Sequence, residues 1–191
     1  MHMQRYAAAP VIARLPQGTP GTWIARRWYY MPKSRRDYSV RPISPGDRRL
    51  LAEFALDLSR LASEKEVSAV REMTSLLFDR VIAPGPHGAM GFAALESAAS
   101  GDRVIGAAVY APCDDGAEFC VAVAGAYRTE QVGTTLMASL VKQARRVGIT
   151  RLTAEMSWSN RPMQLLAQSM GFLVEPVARD RKLRRLVLAL K

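Results

Sequence analysis

The stretch AEFCVAVAGAYRTEQVGTTLM, residues 117–137, constrains the fold of this chain more than any other. AEFCVAVA reads as an alternating, largely buried β-strand, and after a short polar corner the chain restarts as a helix with no linker between them. In that helix Leu136, Met137, Leu140, Val141, Ala144 and Val147 recur at helical spacing. Arg145 and Arg146 complement the negative end of its dipole before Gly148 stops it. A strand that feeds a helix directly aims several first-turn N–H groups at one spot, and the dipole makes that spot positive. Such a corner suits an anion.

The rest of the chain supplies a sheet for this unit to join. YSVRPI is a short strand closed by the turn SPGD, and Leu50, Leu51, Phe54, Leu58 and Leu61 mark an amphipathic helix after it. VSAVREMTSLLFDRVI predicts a second helix, ended by PGPHG, whose His87 reads as a loop residue. MGFAALES, DRVIGAAVYA and AEFCVAVA then suit an antiparallel meander. After the corner and its helix come the strand ITRLTAEMSW, the helix NRPMQLLAQSM stopped by Gly171, and the strands FLVEPVA and RRLVLAL. The expectation is an α/β (α+β) class fold: one domain over residues 38–191, with a mixed central sheet of about six to seven strands flanked by about four helices.

At 191 residues and 49% hydrophobic, the chain has enough apolar material for one core and too little for two full domains. No apolar run approaches the roughly 18 residues of a membrane span, and AAAPVIA near the start makes a poor export signal. A soluble, cytoplasmic protein is expected. Cys113 and Cys120 form neither a disulfide framework nor a metal-ligand pattern, so no metal is expected. The net charge of +10 sits at the ends: residues 1–37 carry +6 and residues 179–191 carry +5, which leaves −1 for 38–178. A nucleic-acid reader would carry its basic stripe within the folded body. Residues 1–37, with Trp23, Trp28, Tyr29 and Tyr30 among arginines, read as an N-terminal extension: a solvated tail, an arm packed on the domain, or an arm that stacks on single-stranded nucleic acid. The basic ends also suit an acidic partner. Oligomeric state, a homodimer included, is left open.

Residues 117–172 resemble the GNAT superfamily of acyl-CoA-dependent N-acyltransferases, above all its bacterial Pat-type protein lysine acetyltransferases and the histone acetyltransferase branch. The family's turn reads Arg/Gln-x-x-Gly-x-Gly/Ala; here Arg128-Thr129-Glu130-Gln131-Val132-Gly133 keeps the first and last positions and puts Gln131 in place of the middle glycine. NRPMQLLAQSMGF follows at the expected distance. The resemblance implies acetyl-CoA as cosubstrate, its diphosphate at Arg128 and at the N–H groups of Gln131, Val132, Gly133 and Thr134. It places the pantetheine arm along the backbone of Val121 and Val123, within reach of Asn160. Read alone, Asn160 is equally a helix cap. Gly133 would give the turn its conformational freedom, and Gln131 would fit only with negative φ.

Acetylating a lysine amine requires a proton acceptor, because the neutral amine costs about 4.6 kcal/mol at pH 7. Glu118 is the candidate general base: it opens an apolar strand where burial would raise its basicity, and the resemblance puts a catalytic glutamate there. The alternative is a solvated strand-end residue. Glu155 is the second candidate, Asp114 and Asp115 read as turn residues, and Cys120 shares a strand face with Glu118. Many members of the family place an acidic tyrosine four residues before Gly-Phe, where this chain has Ala167. The expected function is N-acetyl transfer to a protein lysine; a small-amine acceptor and a non-catalytic acyl-CoA-binding module are the alternatives.

Overall fold

In a computed structural model of the chain, the described residues are 37–61, 80–82, 88–98, 101–128 and 131–190, all within the unit Ser34–Lys191. In chain order they form β1 (Ser39–Pro42), α1 (Arg48–Leu61), β2 (Met90–Ala98), β3 (Gly101–Cys113), β4 (Gly116–Val123), α2 (Val132–Arg146), β5 (Arg151–Ser157), α3 (Arg161–Ser169), β6 (Leu173–Val177) and β7 (Asp180–Ala189). Most of the expected helix over residues 67–82 and the expected extension over 1–37 lie outside the described residues. Of that helix, Arg80–Ile82 are described, in a π-helical turn.

The strands make one seven-stranded sheet in the order β1-β2-β3-β4-β5-β7-β6. Every neighbouring pair is antiparallel except β4–β5, which is parallel because α2 carries the chain back along the sheet. β3 is its centre. VIGAAVYA, Val104–Ala111, is buried throughout, and apolar clusters lie on both of its faces. On one face Val104, Ala107, Val109 and Ala111 meet Leu51 and Phe54 of α1; on the other Ile105, Ala108 and Tyr110 meet Leu136, Met137, Leu140 and Val141 of α2.

Small residues in β3 bring α2 close, and this closeness positions the corner. A Cβ at Gly106 would lie 2.9 Å from both Val132 Cγ1 and Leu136 Cδ1, so the first turn of α2 rests directly on the sheet. The apolar stripe of α2 ends sooner than its spacing predicts. Val147 lies just past the helix and is 53% exposed, because the chain turns away at Gly148, φ +80. At the front edge, Asp47 leads into α1 by accepting hydrogen bonds from Ser44 N–H (2.8 Å), from Ser44 Oγ (3.0 Å) and from Arg41 of β1 (2.6 and 2.8 Å). The Arg41 guanidinium holds the buried Asp47 carboxyl far below the usual carboxylate range, against the opposing effect of burial.

Candidate active site

β4 and β5 pair at only two rungs, Ala117↔Leu152 and Glu118↔Thr153, although β4 runs on to Val123 and β5 to Ser157. Beyond Glu118 they diverge into a V-shaped cleft. Ala124 N–H donates to Ile105 C=O at 2.9 Å, in register with the Gly106↔Val123 rung, so the even-numbered residues at this end of β4 turn their backbone groups toward β3. The odd-numbered ones turn theirs the other way. The N–H and C=O groups of Val121 and Val123 therefore face the cleft, on the edge where the resemblance implies the pantetheine arm.

At the end of β4 the chain makes a one-turn 3-10 segment, Gly125–Tyr127, then passes Arg128 and enters α2 at Gln131. Thr135 N–H donates to Gln131 C=O at 3.0 Å and the Gln131 side chain makes no capping bond, so the N–H groups of residues 131–134 lie ahead of the helix's first internal bond. Four donors and the positive end of a dipole thus converge beside the cleft. Arg128 is exposed next to them.

Gln131 and Gly133 exchange the roles expected of them. Gln131 sits at φ 61, ψ 9, the left-handed region, and is the one non-glycine residue with positive φ among the described residues. The requirement for negative φ is overturned. The turn keeps the backbone shape that a glycine would adopt, and its surroundings hold the strain: Gln131 C=O accepts from Thr135 N–H and, at 3.2 Å, from Thr135 Oγ1, which contacts Tyr38 Oη at 3.0 Å. Gly133 has no unusual φ. It lies within α2, where a Cβ would come 3.3 Å from Leu166 Cδ2 and 3.6 Å from Val123 Cγ2. Its value is the narrow gap between α2, α3 and β4.

Asn160 caps α3, accepting from Met163 N–H at 3.2 Å through Oδ1. The cap reading therefore holds, and the side-chain amide NH2 is the part left to reach a ligand. Glu118 stands on the final rung before the cleft and is exposed, so the burial expected for it is absent in the chain by itself. Strand alternation puts it on the α1 side of the sheet with Cys120 and Ala122, while Phe119 and Val121 pack on the α2 side. Glu155, the second candidate, is instead committed to two arginines. Arg185 (2.8 Å) and Arg179 (2.7 Å) both donate to it, and the Arg185 bond foremost, with Arg179, holds its carboxyl below the usual range. Ala167 is fully buried in the core and brings no acid to the site.

The sequence reading missed the anchor behind the corner. Tyr127 is 2% exposed, and its hydroxyl donates to Glu96 Oε2 and accepts from Arg103 at 2.6 Å; Glu96 and Arg103 themselves pair at 3.3 Å across β2 and β3. The Arg103 guanidinium also lies 5.6 Å from the Tyr127 ring centroid. The only advance signal was one large aromatic among the small residues of AGAY. Among the described residues no group of three or more His, Cys, Asp or Glu could hold a metal ion, and no helix is long and apolar enough to cross a membrane.

A family model described as acetyltransferase (GNAT) family matches residues 55–172. Compared by sequence, no curated protein matches the chain significantly. Among solved structures, the GNAT domain of S. lividans PAT is 22% identical with TM-score 0.58, covering 79% of this chain and 89% of that one. The Salmonella typhimurium protein yncA, solved with its cofactor acetyl-CoA, is 19% identical with TM-score 0.57, covering 81% and 95%. PaiA N-acetyltransferase from Thermoplasma acidophilum, in complex with coenzyme A, is 20% identical with TM-score 0.61, covering 80% and 99%. These likenesses show the fold.

Proposed function

Because the chain belongs to the acetyltransferase (GNAT) family, we propose that it transfers the acetyl group of acetyl-CoA to a primary amine, a protein lysine, with Glu118 as general base. The observation that carries this reading is the junction of a strand cleft with a helix N-terminus whose leading residue, Gln131, makes no side-chain cap. Such a junction offers what acetyl-CoA requires at two points: peptide groups for its amide-bearing arm and converging N–H donors for its diphosphate.

In this reading the N–H groups of residues 131–134, with Arg128, hold the diphosphate, and the backbone of Val121 and Val123 pairs with the arm. Asn160 reaches the arm through its NH2 group. The thioester then lies near the apex of the cleft, where Glu118 stands on the last rung. A neutral amine attacks the thioester carbon, cleft-facing N–H groups stabilise the charge that builds on the carbonyl oxygen, and Glu118 takes the amine proton. Glu118 is exposed and so open to an incoming acceptor amine. With alanine at position 167, the departing thiolate leaves unprotonated or takes a proton from water.

The likeness of NRPM, Ala167 and the Glu118 strand to the Pat-type branch supports a protein acceptor. Residues 38–191 form the catalytic domain in this reading, and residues 1–37 are a basic extension suited to an acidic partner. The test is Glu118→Gln. Its kcat/KM for acetylation of a lysine peptide is expected to fall about 10²- to 10⁴-fold, with the Kd for acetyl-CoA unchanged by calorimetry. Full retained activity overturns the mechanism. Turnover of small amines with none of lysine peptides moves the acceptor to the small-amine class, and binding of acetyl-CoA without any turnover makes the chain a non-catalytic module.

A further inference from the structure

Tyr127 has no place in the chemistry just described, yet it is the best-anchored side chain at the corner. Its ring belongs to the core cluster that also holds Val132 and Leu136 of α2. Its hydroxyl reaches a cross-strand pair far away in sequence, Glu96 of β2 and Arg103 of β3. The backbone at Tyr127 is equally committed, since Tyr127 N–H donates to Ala124 C=O at 2.9 Å and Arg128 N–H to Gly125 C=O at 3.4 Å. The residue after it is Arg128, and Gln131 opens α2 soon after.

We infer that Tyr127 is a positioning residue for the diphosphate of acetyl-CoA: its hydroxyl ties the entry of the corner to the β2–β3 hairpin and so fixes where Arg128 and the N–H groups of residues 131–134 stand. This rests on the proposed function. A helix N-terminus binds an anion well only if its donors are already in place, because ordering them on binding subtracts from affinity. α2 is held from below by its contact with Gly106, and the downstream side of the turn by Tyr38 and Thr135. Tyr127 holds the upstream side. It acts from behind the loop, and it lies on the diphosphate side of the cofactor, away from Glu118 and the apex of the cleft.

Tyr127→Phe removes the hydroxyl and keeps the buried ring, while Glu96 and Arg103 can still pair with each other. The discriminating measurement compares two acetyl donors, acetyl-CoA and S-acetylpantetheine, the second of which has the arm and thioester but no diphosphate. For the full-length Tyr127→Phe protein we expect KM and Kd for acetyl-CoA to rise about 5- to 10-fold. kcat at saturation, the acceptor KM, and kcat/KM for S-acetylpantetheine stay within about twofold. A general loosening of the structure would instead lower activity with both donors alike, and that outcome overturns the inference. So does an unchanged acetyl-CoA KM. Should Tyr127→Phe fail to fold, Glu96→Gln weakens the same anchor from its other end and is expected to give the same selective loss; no loss with acetyl-CoA there also overturns it. If the wild-type chain itself does not bind acetyl-CoA, the functional reading falls and takes this inference with it, whereas binding by the wild type with no selective loss in the variants sinks the inference alone.

Discussion

Gln131 concentrates the cost of the site in one residue. A side chain in the left-handed region is disfavoured by about 1 kcal/mol or more relative to glycine, because Cβ crowds the following carbonyl. Two hydrogen bonds from Thr135 to its carbonyl hold it in that region. Gln131→Gly is therefore expected to raise unfolding stability by about 1 kcal/mol in urea denaturation, with acetyl-CoA affinity retained or improved. A loss of stability would mean that the Gln131 side chain makes a contribution larger than its strain. This position also shows where reading the sequence stopped short. The mismatch with the glycine pattern was plain, but a residue's φ is decided by the contacts around it; here they come from Thr135, whose hydroxyl in turn contacts Tyr38, far earlier in the chain. Glu118 was legible as a carboxylate near the start of β4. Its exposure was not, because what covers a strand end depends on how far the neighbouring strand follows it.

The elements were legible almost throughout, since each carries its own period. β3 announces itself by an unbroken apolar run, α2 by its apolar stripe and closing Gly148, and α3 by Asn160 and Gly171. The pairing order β5-β7-β6 and the two-rung ladder between β4 and β5 were not, because both follow from the twist and packing of the assembled sheet. The turn SPGD read as simple punctuation, yet Asp47 there links β1 to α1 by way of Arg41. Its carboxyl has a folded-state pKa depressed below the unfolded value of about 4. The stability it provides is therefore complete above that pH and is lost as pH falls toward the folded value. Between pH 5 and pH 2 the wild type is expected to lose about 2 kcal/mol more than Asp47→Asn does, measured by urea midpoints. Equal losses would show that the pair contributes nothing. Above pH 5 the variant is the less stable of the two, because Arg41 keeps only a neutral partner.

On the scale of the whole molecule, the sheet places two incomplete structures side by side. Among the described residues β4 has no strand partner on one edge beyond Glu118, and Gln131 at the start of α2 makes no side-chain cap. Each alone is a common local defect that solvent repairs. Together, with Gly133 in the narrow gap between them, they are in the proposed reading suited to one elongated molecule with a peptide-like arm and a diphosphate head. Amide hydrogen exchange at single-residue resolution, with and without acetyl-CoA, tests that match most directly. The account predicts new protection at Val121 and Val123 together with Gln131, Val132, Gly133 and Thr134. Protection confined to other amides, or none at saturating acetyl-CoA, would contradict it.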